Sequence, residues 1–163
     1  MIQMLKGNAA MSNSDNPKNG AEFQRQVFQW FTTEYNKPFS MEVEIPIGSK
    51  LLDVSEYKNH KFDIVSDDLS ILIECKRYTW TESGNVPSAK MGFVNEAAFY
   101  LSLLNSVCEK FIVMYKSYNP KRGETLAEYY YRTNKHLLGD IIIAEYDPEY
   151  NEMIFLNAVG SNL

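Results

Sequence analysis

The 163-residue sequence predicts an α/β fold in which helices flank a central mixed sheet, and three observations carry that expectation. The stretch from Lys61 to Tyr78, KFDIVSDDLSILIECKRY, is two apolar runs around a polar turn, the pattern of a strand hairpin. A second apolar run, Phe111-Ile-Val-Met-Tyr115, follows a helical segment and so returns to the sheet by a crossover, parallel to its neighbour. Helical apolar spacing precedes the hairpin and recurs after it. The predicted order is α-β-β-β-α-β-α-β-β.

Residues 1–19 are rich in Asn, Ser, Lys and Gly and read as a mobile leader, with Met11 an alternative start; residues 20–163 then form a single domain. A first helix opens near Asn19-Gly20 and runs to about Tyr35, with Phe23, Val27, Trp30 and Phe31 on one stripe and Pro38 beyond its end. Phe39 to Ile47 alternates as a strand, and Pro46 marks it as an edge. Gly48 to His60 is a polar loop before the hairpin. After the hairpin, Thr79 to Pro87 is a loop and Ser88 caps a helix from Ala89 to about Val107, buried through Val94, Ala97, Ala98, Leu101 and Leu104. Glu124 to Leu138 is the third helix, closed by Gly139. Ile141 to Tyr146 and Met153 to Leu156 are the last strands, around an Asp147-Pro148 turn.

Composition narrows the function classes. Hydrophobic residues make up 45% of the chain, with eleven Tyr and nine Phe, enough for one packed core. A net charge of −5 opposes wholesale electrostatic binding of nucleic acid but permits a local basic groove. Cys75 and Cys108 form neither a zinc spacing nor a disulfide framework. His60 and His136 have no partner spacing for a Ser or Cys nucleophile. No apolar run approaches the ~18 residues of a membrane span, and a reducing cytoplasm is the expected compartment.

Chemistry concentrates in the hairpin. A turn centred between Asp68 and Leu69 sets Asp63 across from Glu74, and strand alternation puts Lys76 on their face while Ile71, Ile73 and Cys75 point away. Like charges opposed across a ladder destabilise it. A solvated hairpin tolerates them, but the Ile71-Leu72-Ile73 run is of the kind covered on both faces. Two carboxylates in a covered sheet are reconciled by a hard divalent cation between them, with Lys76 holding a water or steadying negative charge.

Asp63 and, eleven residues on, Glu74-Cys75-Lys76 resemble the PD-(D/E)xK nuclease superfamily, of restriction-endonuclease-like fold, closest to its Mrr-like and Holliday-junction-resolvase-like branches. Phe62 stands where that motif has proline, and the helix, three-strand meander, helix, strand order agrees with the αβββαβ core of that fold. The resemblance covers about residues 19–117. It implies a nuclease dependent on magnesium or manganese and acting on nucleic acid, DNA foremost, in restriction, repair or defence. Asp63, Glu74 and Lys76 would be catalytic, and Asp63, Glu74 and the Cys75 carbonyl would hold the metal. The family's first-helix acid aligns with Gln24, whereas a slip of two residues makes Glu22 a ligand; the two lie roughly 200° apart on a helix, so only one faces the site. Lys90 suits a phosphate at the start of its helix, Arg77 flanks the site mouth, and Lys121 and Arg122 join Tyr129, Tyr130 and Tyr131 in a basic, aromatic patch. Each of these also reads as a solvated or packing residue. The alternative is an inactive module of the same fold that binds nucleic acid or a protein. A homodimer or larger complex is compatible with either, as is a plain scaffold that pairs through its tyrosine-rich face.

Overall fold

A computed structural model describes residues 16–48, 57–104 and 107–157. Helix α1 (Asn16–Tyr35) begins four residues ahead of the expected start, so residues 16–19 are helical; the rest of the expected leader lies outside the described residues. Its stripe of Phe23, Val27 and Phe31 is buried, as the four-residue spacing requires. Asn36, with φ of 47°, breaks the helix ahead of Pro38.

The sheet has six strands in the order β1 (Phe39–Ile47), β2 (Lys58–Ser66), β3 (Ile71–Lys76), β4 (Glu109–Tyr115), β7 (Ile142–Asp147), β8 (Glu152–Phe155). The β1/β2, β2/β3 and β7/β8 pairs are antiparallel, and β3/β4 and β4/β7 parallel, so the sheet is mixed as expected. Between β3 and β4 runs α2 (Ser88–Ser102), and between β4 and β7 a two-stranded ribbon, β5 (Tyr118–Asn119) with β6 (Glu124–Thr125), leads into α3 (Leu126–Asn134). Pro46 lies on an edge strand, as expected. No helix among the described residues is long and apolar enough to cross a membrane.

Some expected boundaries move. Strand β2 starts at Lys58, inside the expected loop, whose residues 49–56 lie outside the described part. Ser88 makes no side-chain cap; α2 starts after Pro87 and ends at Ser102. The third helix starts later than expected because Glu124 and Thr125 pair with β5. Thr125 then caps it: its hydroxyl accepts from the Glu128 N–H at 3.1 Å, and Glu128 returns a carboxylate to the Thr125 N–H at 2.7 Å.

Two apolar layers sandwich the sheet. On one face α1 packs Phe23, Val27 and Phe31 against Ile64, Ile71, Ile73, Phe111 and Val113. On the other, α2 and α3 pack Met91, Val94, Leu101, Leu126 and Tyr130 against Phe62, Leu72, Ile112 and Met114. Removing a fully buried ring such as Phe31 from such a layer costs about 3–5 kcal/mol. This double layer leaves one end of the hairpin, between β2, β3 and α2, as the place where polar groups collect.

Candidate active site

The β2/β3 register pairs Ile64 with Ile73 and Val65 with Leu72, the same register that sets Asp63 against Glu74. Regular pairing stops there. The Asp63 carboxylate Oδ2 accepts from the Cys75 N–H at 2.7 Å, so a side chain takes over from a ladder bond. The Asp63 carbonyl accepts from the Gln24 Nε2 amide at 3.1 Å. Gln24 therefore holds the backbone of the aspartate from the α1 side. Glu22 does not join the site: it is exposed and ion-paired to Arg25 one helical turn on, where the expectation had it as a possible metal ligand.

The same rung carries a change of face. In β2, Phe62 belongs to the α2 layer and Ile64 to the α1 layer, although both are even-numbered. In β1, Phe39 packs on the α1 side while Val43 and Ile45 pack on the α2 side. Both strands exchange faces around Glu42 and Asp63, the rung missing from the β1/β2 ladder, and Glu42 there adopts φ of 56°. This exchange turns His60 toward Glu74, where strict alternation from Ile64 would have turned it away.

Glu74 is only 5% exposed. Burial, followed by the neighbouring Asp63 charge, pushes its carboxyl up to about 9, against the opposing pull of Lys76. It is thus held as an uncharged acid at neutral pH beside the Asp63 carboxylate. His60 Nε2 lies 3.3 Å from Glu74 Oε1. Burial lowers the imidazole's pKa, so the contact is a hydrogen bond between neutral groups, its donor set by the tautomer. The ring stacks on Tyr100 at 3.9 Å between centroids and meets the edge of Phe62 at 4.6 Å. His60 was missed because no sequence spacing marks it.

These groups form one side of a cavity of about 380 Å³. Glu74 and Lys76 of β3, with His60 of β2, line its sheet side. Tyr78 stands just beyond β3, and α2 supplies Phe93, Glu96 and Tyr100. Glu96 is exposed, as the sequence suggested, yet it faces the cavity and adds to the field that raises Glu74. Lys90 reaches the rim, its ammonium 5.4 Å from the Tyr78 ring and 5.7 Å from Phe93.

Other expected contacts lie elsewhere. Arg77 stacks over Tyr115 at 4.6 Å; Tyr115 belongs to the α1 layer, so Arg77 does not flank this cavity. Arg122 sits 4.9 Å over Trp80 and 5.9 Å from Tyr129, and its Nε donates to the Gly84 carbonyl at 3.3 Å. Lys121 is exposed beside it. These two belong to a patch around the β5–β6 ribbon rather than to the cavity lining. Of its tyrosines, Tyr130 is fully buried and bonds Asn95 at 2.9 Å, so it is core.

Two neighbouring carboxyl groups, one of them buried and held neutral, suit a hard cation that would take the place of the proton. Among the described residues no three His, Cys, Asp or Glu side chains converge on a metal-binding arrangement, so such an ion would draw further ligands from backbone and water. No family model, curated protein or solved structure matches this chain.

Proposed function

We propose that the protein is a metal-dependent nuclease of the PD-(D/E)xK kind, with a restriction-endonuclease-like core, that hydrolyses phosphodiester bonds in nucleic acid, DNA foremost. One observation carries the reading: buried Glu74 sits beside the Asp63 carboxylate where β2 and β3 part, and Glu74 and Lys76 line one cavity. The helix, three-strand meander, helix and parallel strand around them follow the core order of that fold.

Asp63, Glu74 and the Cys75 carbonyl would hold magnesium or manganese. The ion's chemistry is to lower the pKa of bound water and offset charge on the phosphate. Asp63, fixed by the Cys75 N–H and by Gln24 behind it, needs little reorganisation to act as a ligand. Glu74 would give up its proton on loading. Lys76 orients the attacking water and holds negative charge near the scissile phosphate. His60 orients the Glu74 carboxyl, the role such outer partners play toward ligands.

The second reading, an inactive binding module, has one observation in its favour. Gln24 stands where the family's helix has an acid, and its amide is committed to the Asp63 backbone. Cleavage of plasmid and of labelled oligonucleotides with magnesium or manganese separates the two. Cleavage by wild type and none by Glu74→Gln is expected; wild-type inactivity under every condition gives the module reading the lead.

A further inference from the structure

The cavity is asymmetric in a way that the carboxylates and Lys76 do not explain. Its sheet side carries His60, Glu74 and Lys76. Its α2 side carries the rings of Phe93 and Tyr100, with Tyr78 beside them. Phe93 remains 47% exposed at the rim, so packing does not account for it. Glu96 on the same helix makes this wall unfavourable to a phosphate, whereas an uncharged base meets no such penalty there. Glu74 itself is recessed, at 5% exposure. The balance of charge points the same way. A net charge of −5 opposes the many phosphate contacts that anchor duplex binding, and stacking depends less on charge.

We propose that the α2 wall of the cavity, centred on Phe93 and Tyr100, is a subsite for one unpaired nucleobase, so that the substrate is single-stranded nucleic acid. The base stacks on Phe93, and the adjoining phosphate lies between Lys90 at the rim and Lys76 on the sheet side. The proposal rests on the nuclease reading for the role of the sheet side.

The test uses full-length Glu74→Gln, expected to hold substrate without cutting, and a fluorescein-labelled DNA strand of about twelve nucleotides, alone or annealed to its complement. Fluorescence anisotropy in manganese should show the single strand bound about tenfold tighter than the duplex. Adding Phe93→Ala should weaken single-strand binding about tenfold, a typical loss for one stacked base, and Phe93→Trp should retain it. Phe99→Ala, which removes a still more exposed ring on the same helix but outside the cavity, should change nothing. Equal or tighter duplex binding, or identical behaviour of the Phe93 and Phe99 variants, overturns the subsite. Cleavage by the wild type is followed in parallel. If duplex is bound and cut preferentially, the nuclease stands without the subsite. Phe93-dependent single-strand binding with no cleavage leaves the subsite standing and removes the nuclease. No binding of either form removes both.

Discussion

The two ends of the β2–β3 hairpin each hold a carboxylate among polar neighbours, and they treat it in opposite ways. At the turn, Asp68 Oδ1 accepts from the hydroxyls of Ser66 and Ser70 at 2.7 and 2.6 Å, and Oδ2 takes the Lys37 ammonium at 2.9 Å. These donors hold its pKa well below the usual carboxylate range. At the open end, Glu74 is buried beside another carboxylate and is held neutral. Donors make the turn carboxylate a structural anion that needs nothing more. Burial beside a like charge makes Glu74 a group whose ionisation awaits a partner, the usual mark of a site built for chemistry.

The sharpest way to break this contrast is Lys76→Ala. It should lower cleavage by roughly 10²–10⁴-fold while the melting temperature stays within a few degrees, since the side chain serves the cavity and not a layer. Wild-type turnover would remove Lys76 from the mechanism.

Metal response comes next in size. Magnesium or manganese at a hundredfold excess over Kd should stabilise wild type by about 2.7 kcal/mol, or on the order of 5–10 °C in melting temperature. Asp63→Asn should lose most of that gain, because the amide is a far weaker ligand for a hard cation. An equal metal response in both proteins would put the ion elsewhere.

The pH dependence separates the ends more finely. The folded state binds the Glu74 proton more tightly than the unfolded chain does, so this group's stabilisation is full below the ordinary carboxylate range and fades as pH rises toward about 9. In EDTA the melting temperature should therefore fall between about pH 5 and pH 9, by roughly 5 °C or more, and Glu74→Gln should flatten that fall. A parallel decline in the variant would trace it to another group. Asp68 contributes the opposite sign, its support being lost only as acid protonates it.

The smallest effect belongs to the turn. Ser66 is fully buried, accepts from the Ile71 N–H at 2.9 Å and donates to Asp68. Ser66→Ala should cost about 1–3 kcal/mol in denaturant unfolding, with cleavage per folded molecule unchanged. A large loss of activity would show the two ends to be coupled.

Much of this is legible in the sequence. Four-residue spacing placed Phe23, Val27 and Phe31 on one buried stripe, and the apolar run of β4 after a crossover helix required a parallel neighbour. The β5–β6 ribbon was not legible, because two-residue strands carry no periodicity. The Thr125–Glu128 capping box was present in the letters and passed over. The alternation that sends Cys75 to the α1 side also sends Arg77 there, so its absence from the cavity could have been foreseen.

By itself, then, the sequence determined the hairpin, its register and the meeting of Asp63 with Glu74, because turn length and period-two alternation are local properties of the chain. Only the tertiary structure decided that His60 belongs with them. Its inclusion depends on β1 and β2 exchanging faces together around Glu42 and Asp63, which lets Phe62 and Val43 join the α2 layer while Phe39 and Ile64 remain in the α1 layer. That choice is made by two layers packing on one sheet at once, and no single strand encodes it.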